Sequence, residues 1–296
     1  MLIEMYFLEE IVTQIYKFIF KFSNYLNLLF MSRYFIEFSY DGSNYHGAQK
    51  QRNSITIQEI LETNISKYLG SIIKLTLAGR TDAGVHAKQM FAHFDIHIDF
   101  DKNNFCRSLN MMVPKDICIE CLSLVIKDSH ARFDVINRTY KYYISSVKDP
   151  FNYRFQYNLK DKLDIDKMNK SCLKLINYKN FKCFTKSNSD VKTYNCDIKI
   201  AKWDNTENGY IFKITANRFL RNMVRSIVGT MIEVGMCKIN NNDFQKILDS
   251  QDRKKAGYSV PASGLFLTKI NYKNIFVTSW RKWKVKFLIL NYFQNF

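Results

Sequence analysis

Two long stretches of this chain repeat one order of hydrophobic periods, and this repetition constrains the fold more than any other feature. Apolar residues that alternate indicate strands, and apolar residues that recur every three to four positions indicate helices. In the first stretch the strand segments are 33–40, 72–77, 89–98 and 117–126, and the helical segments are 57–69 and 101–111. The resulting order, β-α-β-β-α-β, is that of a ferredoxin-like unit.

The second stretch follows the same order. Its strand segments are 139–147, 193–203, 210–215 and 265–272, and its helical segments are 168–176, 220–234 and 243–248. We therefore predict an α+β protein with two ferredoxin-like (RRM-like) halves, mostly antiparallel sheets and an active-site cleft between the halves. The predicted halves are 32–130 and 131–275, with an N-terminal extension at 1–31 and a tail at 276–296.

The first thirty residues fit neither half. They are rich in Ile, Leu, Phe and Tyr, but their charges leave no apolar run long enough to span a bilayer. They also lack the basic start and the small-residue cleavage site of a secretory signal. Two interpretations stay open: Met31 is the natural start, or the segment is an amphipathic helix that packs on the body or lies on a membrane.

Charge and composition narrow the class of partner. The net charge is +17, from 44 Lys and Arg against 27 Asp and Glu, and 47% of the residues are hydrophobic. Such apolar content predicts a folded chain. Such an excess of cations suits a polyanionic partner, either a nucleic acid or a membrane surface.

The cysteines and histidines do not predict a metal site. Cys118 and Cys121 form a C-x-x-C within a strand segment, where positions three apart face opposite sides of the sheet. His93 and His97 would share a strand face, but strand histidines are more often packing or surface residues. Seven scattered cysteines fit reduced thiols and therefore a cytoplasmic protein.

The decapeptide 78–87, AGRTDAGVHA, contains the residue types of a small catalytic turn. Gly79 and Gly84 bracket a single carboxylate, Asp82, and Arg80 stands two positions before it. A neighbouring guanidinium keeps a carboxylate ionised, which suits a nucleophile or a base better than a proton donor. Taken alone, however, these residue types favour a simple capped turn in which Asp82 bonds its own backbone.

Two further patterns lie in the second half. On the predicted helix 220–234, Arg218, Arg221 and Arg225 fall on one side, about 120° or more from the apolar side. Such a face is either solvated or binds an anion. Tyr140 shares a strand face with Arg138, so it either stacks on a nucleic-acid base or packs in the core.

Several motifs together resemble one family, the TruA family of tRNA pseudouridine synthases, over about 32–272. The decapeptide around Asp82 matches the signature of that family. The other matching blocks, in order, are Tyr40-Asp41-Gly42, Gly47-Ala48-Gln49, Leu109-Asn110 with Pro114, His130-Ala131-Arg132-Phe133, Arg138-Thr139-Tyr140-Lys141-Tyr142, Phe219-Leu220-Arg221-Asn222-Met223-Val224-Arg225 and Gly264-Leu265-Phe266-Leu267. Seven ordered blocks beside a ten-residue match are far more specific than one short motif.

The resemblance implies roles for individual residues. Asp82 is expected to be the catalytic nucleophile, Arg225 to pair with it, and Tyr140 to stack on the target uracil. His86 is expected to shape the loop by a structural hydrogen bond. The expected RNA contacts are Tyr140, Arg80, His130, Arg132, Phe133, Arg218, Arg221 and, by a looser match, Lys192. One departure is Ala48, where the family usually has Trp.

The resemblance also implies a reaction. Uridines thirty-eight to forty of the tRNA anticodon stem-loop would be isomerised to pseudouridine by a cytoplasmic homodimer, with one tRNA touching both subunits. No cofactor, metal or membrane is expected. Two alternatives stay open: a non-catalytic RNA-binding protein on the same fold, and a membrane-surface protein led by segment 1–30.

Overall fold

The computed structural model describes residues 31–97, 100–186, 191–273 and 275–278, together with Gln14. The strands are β1 (Ser32–Tyr40), β2 (Thr76–Leu77), β3 (His86–Ile96), β4 (Ile117–Val125), β5 (Val135–Ser145), β6 (Tyr157–Asn158), β7 (Ile198–Thr206), β8 (Gly209–Ala216), β9 (Leu265–Tyr272) and β10 (Phe276–Thr278). The α-helices are α1 (Ile57–Leu69), α2 (Lys102–Met112), α3 (Ile165–Asn177), α4 (Met223–Gly235) and α5 (Asn241–Ser250).

All ten of these strands belong to one sheet. Its order is β10-β4-β1-β3-β9-β5-β8-β7, with β2 paired to β3 and β6 paired to β5. The pairs β3–β9 and β5–β6 are parallel, and the others are antiparallel. The β3–β9 pair joins the two predicted stretches through His86 opposite Phe266. The molecule is therefore a mixed α+β protein with a large, mostly antiparallel sheet.

Local sequence explains where the helices begin and end. The Thr56 hydroxyl accepts the N–H of Glu59 at the start of α1, and Gly70 ends that helix in the left-handed conformation, with φ of 66°. Asp101 and Asp164 cap α2 and α3 in the same way as Thr56. The apolar faces of these helices pack on the sheet, and Trp203 of β7 is one of the largest fully buried side chains.

Several predicted elements are wrong in extent. β3, β5 and β7 begin three to five residues from the starts predicted at 89, 139 and 193. Only Thr76–Leu77 of the predicted strand 72–77 pairs in the sheet, although Ile73 and Leu75 are buried. The predicted helix 220–234 begins at Met223, because Asn222 adopts a left-handed conformation with φ of 65° that a helix cannot include. The strands β1, β4 and β9 match their predicted segments to within one residue.

The prediction that Cys118 and Cys121 face opposite sides of the sheet is also wrong. Cys118 pairs with Ser39 and Cys121 pairs with Glu37, two positions apart on β1. A bulge lies between these pairs, and it adds one residue to β4, so both cysteines face the same side. Within the described ranges, no three His, Cys, Asp or Glu side chains come close enough to share a metal ion.

The predicted extension and tail lie almost entirely outside the described residues. Of 276–296, the described part is β10, which pairs with β4 and forms one edge of the sheet. Among the residues that the structure describes, no helix is both long enough and apolar enough to cross a bilayer.

Candidate active site

The Asp82 loop follows β2 and leads into β3, and the early segment 40–48 supports it. The Tyr40 hydroxyl and the Thr81 hydroxyl are 2.8 Å apart, and the N–H of Ala48 donates to the Thr81 carbonyl at 3.4 Å. A Cβ at Gly47 would lie 2.5 Å from that same carbonyl oxygen, so only glycine allows this approach. Ala48, at the position where the family resemblance leads us to expect Trp, is fully buried.

His86 anchors the end of the loop. Burial lowers the pKa of this histidine, so the ring is neutral at pH 7 and has one donor nitrogen. Its Nδ1 accepts the N–H of Gly42 at 3.1 Å, and its Nε2 lies 3.1 Å from the Ser263 carbonyl. The ring also stacks on Phe266 at 4.5 Å. These contacts agree with the structural role expected for His86.

Two arginines approach the Asp82 carboxylate from the second half of the chain. Arg225 Nη1 lies 3.5 Å from one carboxylate oxygen, and Arg221 Nε lies 4.0 Å from the other. Arg225 is oriented by its Nε–H, which donates to the Val260 carbonyl at 2.7 Å. Two cations of the second half of the chain therefore lie within 4.0 Å of the carboxylate.

The sequence predicts Arg80 as the cation beside Asp82, but in the structure the cations beside Asp82 are Arg225 and Arg221. Arg80 is exposed and, among the described residues, forms no ion pair with Asp82. Its side chain is free to meet substrate, and its RNA contact stays a prediction. The predicted helix face of three arginines is also wrong, because Arg218 and Arg221 precede the start of α4. Arg221, expected at a phosphate, lies within reach of the carboxylate.

Tyr140 lies on β5 near the Asp82 carboxylate. It is buried, and its ring meets Phe219 edge to face at 5.1 Å. Burial raises the pKa of Tyr140 to about 12; Arg138 opposes this shift and the charge of Asp82 adds to it. The phenol is therefore protonated at neutral pH and can donate a proton or a hydrogen bond.

The loop that follows β4 presents Arg132 and Phe133 to solvent. The Phe133 side chain is 73% exposed, and the Arg132 guanidinium lies over its ring at 5.7 Å. His130 Nδ1 accepts the backbone N–H groups of both residues, at 3.1 and 3.3 Å. His130 thus shapes its own loop, whereas Arg132 and Phe133 are available to a ligand.

A buried histidine supports this loop from beneath. Burial and the charge of Arg33 lower the pKa of His93 to about 4, so its ring is neutral at pH 7. Its Nδ1 accepts the N–H of Ala131 at 3.1 Å.

Lys192, the predicted RNA contact with the loosest family match, is exposed on the segment that follows the undescribed residues 187–190.

Sequence reasoning did not single out Arg138 as a site residue. Its guanidinium donates to the carbonyls of Ala78, Arg132 and Asn217, at 2.6, 3.1 and 3.0 Å. Two of these partners are 60 and 79 positions away in the chain. Nothing in a single sequence signals such contacts, although Arg138 lies inside one of the matching blocks.

An open cavity of about 370 Å³ lies beside this site, between Lys88, Lys115 and His86. Its lining includes neither Asp82 nor Tyr140, so the cavity is separate from the carboxylate. At the site itself, the Asp82 carboxylate is partly exposed and has arginines around it. Such a site suits an enzyme that works on a large polyanion better than one that encloses a small molecule.

Comparisons with known proteins identify the family. The model of a family described as tRNA pseudouridine synthase matches residues 37–134 and 174–273. A tRNA pseudouridine synthase A of Bacteroides fragilis is 47% identical over 246 residues, which are 82% of this chain and 97% of the relative. The corresponding protein of Parabacteroides distasonis is 44% identical over 243 residues, 82% of this chain and 96% of the relative. The chain belongs to the tRNA pseudouridine synthase family.

Proposed function

We propose that this protein isomerises uridine to pseudouridine in the anticodon stem-loop of tRNA. The observation that carries the proposal is the Asp82 carboxylate, which lies in the family signature and faces Arg225 and Arg221. The relatives are named tRNA pseudouridine synthase A, which is this reaction on this class of RNA. The net charge of +17 supports a polyanionic substrate.

The reaction exchanges one glycosidic bond for another. The N1–C1′ bond of uridine breaks, the uracil turns, and C5 bonds to C1′; N1 gains a proton and C5 loses one to solvent. Asp82 acts as the nucleophile and forms a transient covalent bond to the substrate nucleoside. Arg225 orients the carboxylate, and no cofactor takes part in this scheme.

The target base must leave the RNA stack before Asp82 can reach it. In the proposal Tyr140 lies against the flipped uracil, and its protonated phenol serves the proton movements between N1 and C5. Arg80, Arg132, Phe133, Arg218, Arg221 and Lys192 hold the surrounding RNA. Arginines bind phosphate in any sequence context, so the position of the tRNA body selects uridines thirty-eight to forty.

The architecture extends the proposal to the halves of the chain. The order β4-β1-β3-β2 in the first stretch and β9-β5-β8-β7 in the second is the same pattern of connections. This supports two ferredoxin-like halves, 32–130 and 131–275, with Asp82 from one half facing Arg225 of the other. The family resemblance adds a cytoplasmic homodimer, in which one tRNA touches both subunits.

Tritium release from tRNA labelled at uridine C5 tests the function, because only breakage of the C5–H bond frees the label. The full chain should release tritium, and Asp82→Asn should lower the rate at least about 1,000-fold while tRNA affinity and thermal midpoint stay unchanged. Tight binding without release by the wild-type protein would instead support a non-catalytic RNA-binding protein. Residual turnover of Asp82→Asn above about a thousandth of the wild-type rate would refute the nucleophile assignment.

A further inference from the structure

Arg138 connects three separate segments at the centre of the sheet. It lies on β5, between β8 and β9, with Ala216 and Ile270 as its neighbours across the two pairings. Its Nη2 donates to the carbonyls of Ala78 and Arg132, and its Nη1 donates to the carbonyl of Asn217. One planar group therefore fixes three backbone positions at once, which a lysine ammonium cannot do in the same geometry.

Each of the three segments leads directly into residues of the proposed site. Ala78 is the fully buried residue from which the Asp82 loop departs, and its N–H donates to Phe91 of β3 at 2.7 Å. The Arg132 carbonyl belongs to the loop that presents Arg132 and Phe133. Asn217 precedes Arg218, and its side-chain oxygen accepts the N–H of that residue at 2.8 Å.

The surroundings of Arg138 are basic as well as polar. Burial lowers the pKa of this guanidinium, and the charges of Arg132 and Arg218 act in the same direction, while Tyr140 opposes them. Arg138 bonds the carbonyl of Arg132 and the carbonyl of Asn217, the residue before Arg218, so the segments of both arginines are held at this one group. Several cations in one place suit an RNA phosphate.

We propose that Arg138 is a positioning residue that sets the distance between the Asp82 carboxylate and the two phosphate-binding arginines, Arg132 and Arg218. This inference rests on the proposed function and adds a residue to it. In this scheme Arg138 is assigned no contact with a reacting atom: three of its five N–H donors bond the three carbonyls. Arg138 acts through the segments of Ala78, Arg132 and Asn217. If these segments shift relative to one another, the uridine of bound RNA is no longer positioned over Asp82.

Kinetics of two variants test the proposal. Arg138→Lys keeps the positive charge and the aliphatic stem but loses the planar guanidinium. Arg138→Met loses both the guanidinium and the charge. At a temperature where each variant is fully folded, we expect kcat to fall about 100-fold, since a shift of about 1 Å in the reacting geometry has that effect. Should the methionine variant not fold, the lysine variant carries the same test. A kcat within twofold of the wild type would overturn the proposal.

Arg33→Lys is the matched control. The Arg33 guanidinium also bonds within the fold, to Asp95 and to the carbonyl of Ser129, which precedes the Arg132 loop, but it bonds none of the three carbonyls that Arg138 holds. We expect a lower thermal midpoint and a kcat close to that of the wild type. An equal loss of kcat in Arg33→Lys and Arg138→Lys would show a general effect of a lost fork and would refute positioning.

Coupling to Arg132 separates positioning from mere stability. In the wild-type background Arg132→Ala should weaken tRNA binding about tenfold, the usual effect of losing one charge-assisted contact. In the Arg138→Met or Arg138→Lys background it should weaken binding less than about twofold, because Arg132 is already displaced. If Arg132→Ala weakens tRNA binding by the same factor in both backgrounds, the proposal is refuted.

Tritium release separates this inference from the proposed function. If the wild-type protein releases no tritium, the proposed function fails. If the wild type releases tritium and Arg138→Lys does so at the same rate, only this inference fails.

Discussion

Two carboxylates, Asp41 and Asp82, lie on neighbouring segments and are bonded very differently. The Asp41 carboxylate accepts the N–H and the hydroxyl of Ser43, at 2.9 and 2.6 Å, and a guanidinium hydrogen bond from Arg154 at 3.2 Å. The Asp82 carboxylate accepts no hydrogen bond from any described residue, and its two arginines stand 3.5 and 4.0 Å away. Their side chains are similarly exposed, at 20% and 27%.

The difference teaches how one fold uses the same residue type in two ways. Hydrogen bonds of normal length saturate Asp41, so its oxygens have little capacity left and the side chain fixes the turn around Ser43. The cations near Asp82 stand 3.5 and 4.0 Å away and leave its lone pairs free. A nucleophile needs free lone pairs, so of these two carboxylates Asp82 has the geometry that the proposed nucleophile requires.

The largest effect that would sharpen this comparison is expected from Arg225→Lys. A lysine ammonium cannot both donate to the Val260 carbonyl and face the Asp82 carboxylate as the fork does. We expect kcat to fall about 10- to 100-fold with little change in KM for tRNA. Steady-state kinetics on tRNA transcript measure both values. A rise in KM alone would make Arg225 a phosphate contact.

A smaller effect is expected from Arg218→Ala, which removes a cation from the rim and leaves the pair of arginines at Asp82 intact. Binding should weaken uniformly across tRNA species, and the slope of log affinity against log salt should decrease by about 0.7 to 0.9, the share of one phosphate. Filter binding over a salt series gives the slope. An unchanged slope would place Arg218 away from the RNA.

The smallest effect on turnover is expected from Asp41→Asn. The loss of charge-assisted hydrogen bonds should lower the free energy of unfolding by about 1–3 kcal/mol at pH 7, while kcat changes less than about threefold. Burial raises the pKa of Asp41, but the Ser43 bonds and Arg154 outweigh it, so the folded-state pKa is lowered.

The lowered pKa fixes the sign of the pH dependence. The extra stability from ionised Asp41 is fully present above the unfolded value of about 3.9 and is lost as the pH falls through the lower folded value. The stability difference between wild type and Asp41→Asn should therefore shrink in acid, as denaturant unfolding at several pH values can show. A constant difference down to pH 2 would contradict the linkage.

Sequence patterns predicted the periodic parts of this molecule well and the contacts between distant segments poorly. β1, β4 and β9 follow from alternation because each has one buried face. The bulge opposite Glu37 and the left-handed Asn222 could not be predicted, since both are local departures from a period. The bulge places Cys118 and Cys121 on the same side of the sheet, and the left-handed Asn222 leaves Arg221 outside the helix.

The site divides in the same way. The motif around Asp82 and the block ending at Arg225 identified two residues that the fold brings together. Arg80 illustrates the opposite outcome: adjacency in sequence suggested an ion pair, but the geometry of the loop points this cation to solvent. Arg138 was missed because its partners are backbone carbonyls, which every residue has and no sequence marks.

Single-turnover conversion with enzyme in excess, compared for Asp82→Asn and Asp41→Asn, tests the central claim most directly. Excess enzyme removes the effect of binding, so the rate reports chemistry at the carboxylate. The account predicts that Asp41→Asn converts tRNA uridine at close to the wild-type rate and that Asp82→Asn shows no conversion above about a thousandth of it. Equal rates for the two variants, or a loss confined to Asp41→Asn, would contradict the assignment of Asp82 as the nucleophile.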